Sequence, residues 1–169
     1  MVKKILLVVV LLPFLILMLS PKKEIFYLFE KQLADRGIVI SDGTISEHPF
    51  GLTIEHPALY FKGAKVATAR EITLWSVLAY TRGSIDGLVT DPSLKNYLPE
   101  KVDKISVVHS IASPFIAPVT LQDTSYGGEG EIRLKERRLK IRFPHLPAKS
   151  PMTRYLKHTK GGWTYEQRF

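Results

Sequence analysis

The chain has 169 residues, carries 24 Lys and Arg against 16 Asp and Glu, and contains no cysteine. Without cysteine there is no disulfide, no thiolate nucleophile and no residue to carry a lipoprotein-type lipid, and a length of this order supports one domain with a real core but is tight for two. The positive excess is uneven, with eleven basic against five acidic groups over 120–169 and seven against eight over 38–119. Such asymmetry can mark attraction to anionic headgroups or nucleic acid; the plainer account is a solvated strand face of alternating charge, and no nucleic-acid partner is expected.

The first feature is an apolar run from Ile5 to Leu19, bracketed by Lys3, Lys4, Lys22 and Lys23. It sits between the length of a signal-peptide core and that of a comfortable membrane span. A cleavage site needs small residues at the last and third-last positions. A cut after Ser20 would place Met18 third-last and Pro21 just beyond, so retention as an anchor is the expectation. Lysine stems reaching the headgroups compensate for the short span, and Pro13 is tolerable in a membrane helix. Ile5, Leu6, Leu7, Val8, Leu12, Phe14, Leu15, Ile16 and Leu19 are then the anchor residues. With so short an N-terminus, the simplest orientation leaves it in the cytoplasm and translocates the rest. The organisation expected is an anchor over 1–21, an amphipathic helix over 22–37 and a β-rich domain over 38–169.

In KKEIFYLFEKQLADRG, Ile25, Phe29 and Leu33 recur every four residues, Phe26 and Leu28 widen the stripe, and Gly37 suits a left-handed helix cap. From Ile38 the texture changes to short β-rich runs. Asp42-Gly43 is the strongest local hairpin signal; Lys62-Gly63 and Arg82-Gly83 lie near further reversals. DPSLKNYLP predicts one helical turn, KISVVHSI and VTLQDTSY predict strands, and GGEGEI predicts a hairpin turn. EGEIRLKERRLKIRF alternates cleanly, with Ile132, Leu134, Leu139, Ile141 and Phe143 on one side and a turn at 136–138. SPMTRYLKHTKGG predicts a short helix capped by Ser150, and WTYEQRF a final strand with Trp163 and Tyr165 on one face. The fold class is mainly β: a curved, mostly antiparallel sheet of eight to ten strands behind the anchor and amphipathic helix, with a short C-terminal helix and strand.

Leu74, Trp75, Val107, Ile132, Leu134, Ile141, Phe143, Trp163 and Tyr165 are the candidate core or groove residues. A plain core is the favoured reading, and an open apolar groove able to hold an acyl chain is the alternative. Arg137, Arg138, Lys140 and Arg142 are the candidate headgroup contacts. Chemistry-bearing motifs are sparse. Glu47-His48 and Glu55-His56 could meet across a hairpin and bind zinc, but each histidine precedes a proline and more naturally marks a strand end. His109-Ser110 has neither a carboxylate neighbour nor a nucleophile elbow. No catalytic residue, metal or cofactor is expected. The aromatic ending Trp163, Tyr165 and Phe169 also resembles the last strand of a small outer-membrane barrel.

On the succession of the apolar segment, KEIFYLFEKQLADRGI, GTISEHPFGLTIEHPALYFKG, AKVATAREITLWSVL, GSIDGLVTDPSLKNYLP, EGEIRLKERRLKIRF and GGWTYEQRF, the chain resembles the AsmA-like envelope proteins, most of all the type II secretion N-type proteins. The resemblance implies a single-pass protein of the bacterial inner membrane with a curved periplasmic β-sheet. It also implies an accessory role in secretion or lipid movement, and partners among lipids and envelope proteins. It carries over no catalytic residue.

Overall fold

The computed structural model describes residues 22–41, 43–77, 79–147, 150–159 and 161–169. The expected anchor lies outside these, and among the described residues no helix is long and apolar enough to cross a membrane. The first element is helix α1 (Lys22–Ala34), which ends where Gly37 takes φ +80 and its carbonyl accepts the Lys62 amide at 2.7 Å. Phe26 is its buried anchor at 4% exposure, while Tyr27 and Leu28 stand in solvent. The side chains of Ile25 and Phe29 lie outside the described set.

All strands of the single sheet pair antiparallel. Strands β1 (Ile38–Ser41) and β2 (Thr44–His48) pair with β4 (Ala58–Phe61) and β3 (Gly51–Glu55) on one unbroken register, Ser41 facing Ala58 and Thr44 facing Glu55. They are two arms of one hairpin that reverses at Pro49-Phe50. The reversal expected at Asp42-Gly43 is therefore absent; Asp42 lies outside the described residues, and a Cβ on Gly43 would sit 2.3 Å from Ile54 Cγ2. Glycine is needed there for close approach rather than for a turn. Strands β5 (Ala64–Thr68) and β6 (Glu71–Val77) run along β4 and β3, and β7 (Tyr80–Thr90) spans both. Lys62-Gly63 does turn the chain, with positive φ at both residues as a two-residue hairpin loop demands. Arg82-Gly83 lies inside β7 instead, because the reversal falls between Val77 and Tyr80.

The meander continues through β8 (Lys101–Ser110), β9 (Ile116–Gln122), β10 (Gly127–Arg133) and β11 (Arg138–His145). Strand β13 (Gly162–Arg168) then pairs with β11, and the short β12 (Lys157–Thr159) edges it. The sheet thus has thirteen strands among the described residues, more than expected, because three of the long strands are interrupted. The expected helical turn forms at Pro92–Leu94, where the Asp91 side chain accepts the Ser93 amide at 2.9 Å. The C-terminal helix shrinks to a 3-10 turn, Pro151–Tyr155, whose Ser150 makes no side-chain cap.

The interruptions line up. Residues 43, 56, 70 and 87 fall opposite one another across four neighbouring strands, with His56 at φ +51 and Gly87 at φ +63. Hydrogen bonding crosses this line: the His56 amide donates to the Arg70 carbonyl at 2.9 Å, and the Arg70 amide to the Asp86 carbonyl at 3.0 Å. Buried positions normally step by two along a strand. Here they step by three at the same level, from Ile54 to Pro57, from Ala69 to Ile72 and from Ile85 to Leu88. Each strand carries one extra residue, so the pairing survives while the pleat shifts, and the sheet creases. Phe26 packs there with Leu52, Ile54, Ala69 and Ile72, backed by Ile40, Ile45, Leu74, Ile85 and Leu88.

The meander also fixes two rims. One, called upper here, carries the turns at 49–50, 78–79, 111–115 and 134–137 together with Phe169; the lower carries 62–63, 91–100, 123–126 and 146–156. Helix α1 starts at the upper rim, where the Lys23 amide lies 3.3 Å from Glu47 Oε1. A Cβ on Gly87 would meet Arg70 Cβ at 3.0 Å in a backbone conformation already unfavourable for L residues. Gly87→Ala is expected to lower the unfolding free energy by about 1–3 kcal/mol in a denaturant titration. Gly161→Ala, which meets only the Arg142 side chain at 3.6 Å, should stay within about 0.5 kcal/mol.

Candidate functional site: an uncovered apolar face

Beyond the crease the period of two returns from Ile105 onward, apart from one register shift between Gly127 and Glu129, and registers from β8 to β13 place one set of apolar side chains on one face. Ile105 and Val107 lead to Leu121 and Val119, then to Ile132 of β10, Leu139, Ile141 and Phe143 of β11, and finally Tyr165 and Trp163. Helix α1 makes its main contacts with β1, β2 and β3, and Phe26 packs into the creased core. Among the described residues no second layer covers the face. Even so, Phe143 is only 3% exposed, and Val119 and Ala117 are buried. In a single layer such burial comes from the curvature of the sheet, which turns neighbouring side chains toward one another.

Two glycines shape the floor. A Cβ on Gly128 would lie 2.7 Å from Phe143 Cε1, and one on Gly130 would lie 2.1 Å from the Lys140 carbonyl oxygen. Phe143 therefore lies down across β10, with the Tyr126 ring tilted beside it at 6.3 Å between centroids. GGEGEI is strand rather than turn, and the reversal before it spans Asp123 to Tyr126, closed by the Asp123 amide donating to the Tyr126 carbonyl. At the far end His158 meets Trp163 edge-on at 5.0 Å.

Of the candidate apolar residues, Val107, Ile132, Ile141, Phe143, Trp163 and Tyr165 share this face, and Leu74 joins the creased core instead. Trp75 and Leu134 belong to neither. Trp75 points to the opposite face at 42% exposure beside Tyr80, and Leu134 sits in the β10–β11 turn. Ile105, Ala117, Val119 and Leu121 complete the face together with Leu139, already in the alternating set of RLKIRF; the alternation of Ile105 with Val107 in KISVV and of Ala117, Val119 and Leu121 in IAPVTLQ was the signal that could have found the other four.

The opposite face is charged and largely self-paired. Arg133 meets Glu131 at 2.5 Å and Glu136 at 3.1 Å, while Arg138 meets Glu136 and, at 3.2 Å, Glu166. Lys140 stands in register between Glu131 and Glu166, and Arg142 between Glu129 and Thr164. Of the four candidate headgroup contacts, Arg138 is thus held in ion pairs, Lys140 and Arg142 are exposed on the strand face, and Arg137 occupies the turn at φ +48. The Arg133 hydrogen bond, with the Arg138 charge beside it, holds the Glu136 carboxyl below its usual range. Next to Asp86, Glu71 and Glu55 extend an acidic row on the outer side of the crease, relieved by Lys104 at 3.0 Å from Asp86.

The histidine pairs do not converge. Glu47 and His48 close β2 at the upper rim, whereas Glu55 and His56 lie at the crease, and among the described residues no group of three His, Asp or Glu could hold a metal. His109 Nε2 lies 3.2 Å from the Pro114 carbonyl, and Ser110 Oγ accepts the Ala112 amide, so both stabilise a local turn.

At the lower end of the apolar face, burial pushes the Tyr126 phenol up to about 12, with Asp123 and Asp103 adding to the shift. The folded chain keeps this phenol neutral where the unfolded chain ionises near 10, so the folded state loses stability as pH rises from about 10 to about 12. In denaturant titrations across that interval, Tyr126→Phe is expected to flatten the fall. No family model, curated protein or solved structure matches the chain.

Proposed function

We propose that the chain is a non-enzymatic, membrane-anchored envelope module whose β8–β13 face seats the acyl chain of a lipid. The observation that carries this reading is the apolar face itself: a band of Ile, Val, Leu, Phe and Trp side chains that no described element covers. A contiguous apolar surface of this kind in water marks a binding site, and its lining is hydrocarbon except along β13, where the Trp163 indole and the Tyr165 phenol, which donates to Gln167, add polar groups. Each methylene seated there contributes about 0.8 kcal/mol, so affinity would grow with chain length rather than headgroup chemistry. The apolar run at residues 5–19 supports placement beside a bilayer that supplies such chains.

Accessory work in type II secretion is the second reading, supported by the order of strands and turns in the sequence. It concerns the setting in which the module works, and acyl-chain binding is compatible with it.

Mass spectrometry of the full chain purified in mild detergent should recover phospholipid or fatty acid in defined proportion to protein. Ile141→Asp, which puts a carboxylate in the middle of the band, should remove most of it while the chain stays folded by circular dichroism. Recovery of no lipid from the unaltered chain, or equal recovery from a folded Ile141→Asp chain, would sink the proposal.

A further inference from the structure

The upper rim is a row of turns tied to one another by backbone hydrogen bonds. The Ile111 amide donates to the Ala79 carbonyl at 2.9 Å, the Leu134 amide to Phe115 at 2.9 Å, and the Phe169 amide to Arg137 at 2.9 Å. These tips form one edge of fixed shape rather than independent loops, and they are apolar at their most exposed points. Ile111 is 64% exposed, Phe169 59%, Phe115 49% and Leu134 45%.

Cations stand among them. Lys135 Nζ lies 4.1 Å from the centre of the Phe115 ring, and Arg137 occupies the same turn as Lys135 and Leu134. The carboxylate between them, Glu136, is occupied by Arg133 and Arg138. Aromatic and aliphatic tips interleaved with uncompensated cations match the boundary between acyl chains and anionic headgroups. The lower rim also exposes apolar groups, among them Tyr97, Leu98 and Tyr155, and carries a cavity of about 730 Å³ lined by Lys95, Asn96, Tyr97, Ser150 and Arg154, so the choice between the rims rests on the direction of the chain.

The direction of the chain gives the occupant. Helix α1 begins at the upper rim, so the apolar run 5–19 enters the described domain from that side. We propose that the upper rim is a membrane seat: Ile111, Phe115, Leu134 and Phe169 enter the headgroup–acyl boundary of an anionic bilayer, and Lys135 and Arg137 meet its phosphates. This stands apart from acyl-chain binding on the β8–β13 face, which concerns a different surface.

The test uses the full chain reconstituted in vesicles of phosphatidylcholine and phosphatidylglycerol whose acyl chains carry bromine near the headgroup. In a Trp75→Phe, Trp163→Phe background, Phe115→Trp supplies a probe on the upper rim and Phe61→Trp one on the lower. Quenching and a blue shift at 115 with neither at 61 is the expected result, and Lys135→Glu with Arg137→Glu should lose the quenching at 115. Equal quenching at both positions, or none at 115, would overturn the seat. Because a new tryptophan can disturb a tip, the native Trp75 read in Trp163→Phe alone provides a second measure near the same rim and should also be quenched. Trp163, on the apolar face, reports separately on lipid bound there.

Discussion

Everything in the amino-terminal half depends on four strands slipping their pleat together. One extra residue in a single strand would be a bulge, and the partner strand would lose register. Matching insertions at Gly43, His56, Arg70 and Gly87 leave every pair in step and move the inward face by one residue, so the sheet bends along a line without losing its ladder. The bend gives Phe26 a concave wall on which to bury. Without it, the thirteen-residue helix would lose the wall against which Phe26 buries.

The carboxy-terminal half solves the same problem without a helix. Its strands keep the period of two but for one register shift between Gly127 and Glu129, so the inward side chains share one face, and curvature with two floor glycines lets Phe143 bury against its own sheet. Cross-strand packing of this kind stabilises a sheet modestly, and the charged face contributes little more because its ion pairs are exposed. Among the described residues, no second layer covers the apolar face that this arrangement leaves.

Much of this was legible in the chain itself. The clean alternation in EIRLKERRLKIRF gave β10 and β11 their faces, and Lys62-Gly63 and Gly37 gave a turn and a helix end, because each of these signals is local. The crease was not legible, since a step of three in one strand looks like a lost alternation and acquires meaning only when three neighbours share it. Asp42-Gly43 and GGEGEI misled for a related reason: glycines placed for close approach look, in sequence, like glycines placed for a turn. Trp75 is a core or groove candidate in sequence because ITLWSVLAY carries apolar residues without strict alternation, yet its register in β6 sets it on the outer face beside Tyr80.

The meander has a kinetic consequence. From β1 to β11 each strand closes against one nearby in sequence, through connections of two to about ten residues, so little chain entropy is lost before each pairing is formed. Assembly can therefore advance hairpin by hairpin, faster than in sheets of the same size that pair distant strands. The exception is the step from β11 to β13, which must span the proline-rich segment and β12. That closure is the slow one, and until it completes, the backbone edge of β11 stays open to a strand from another chain.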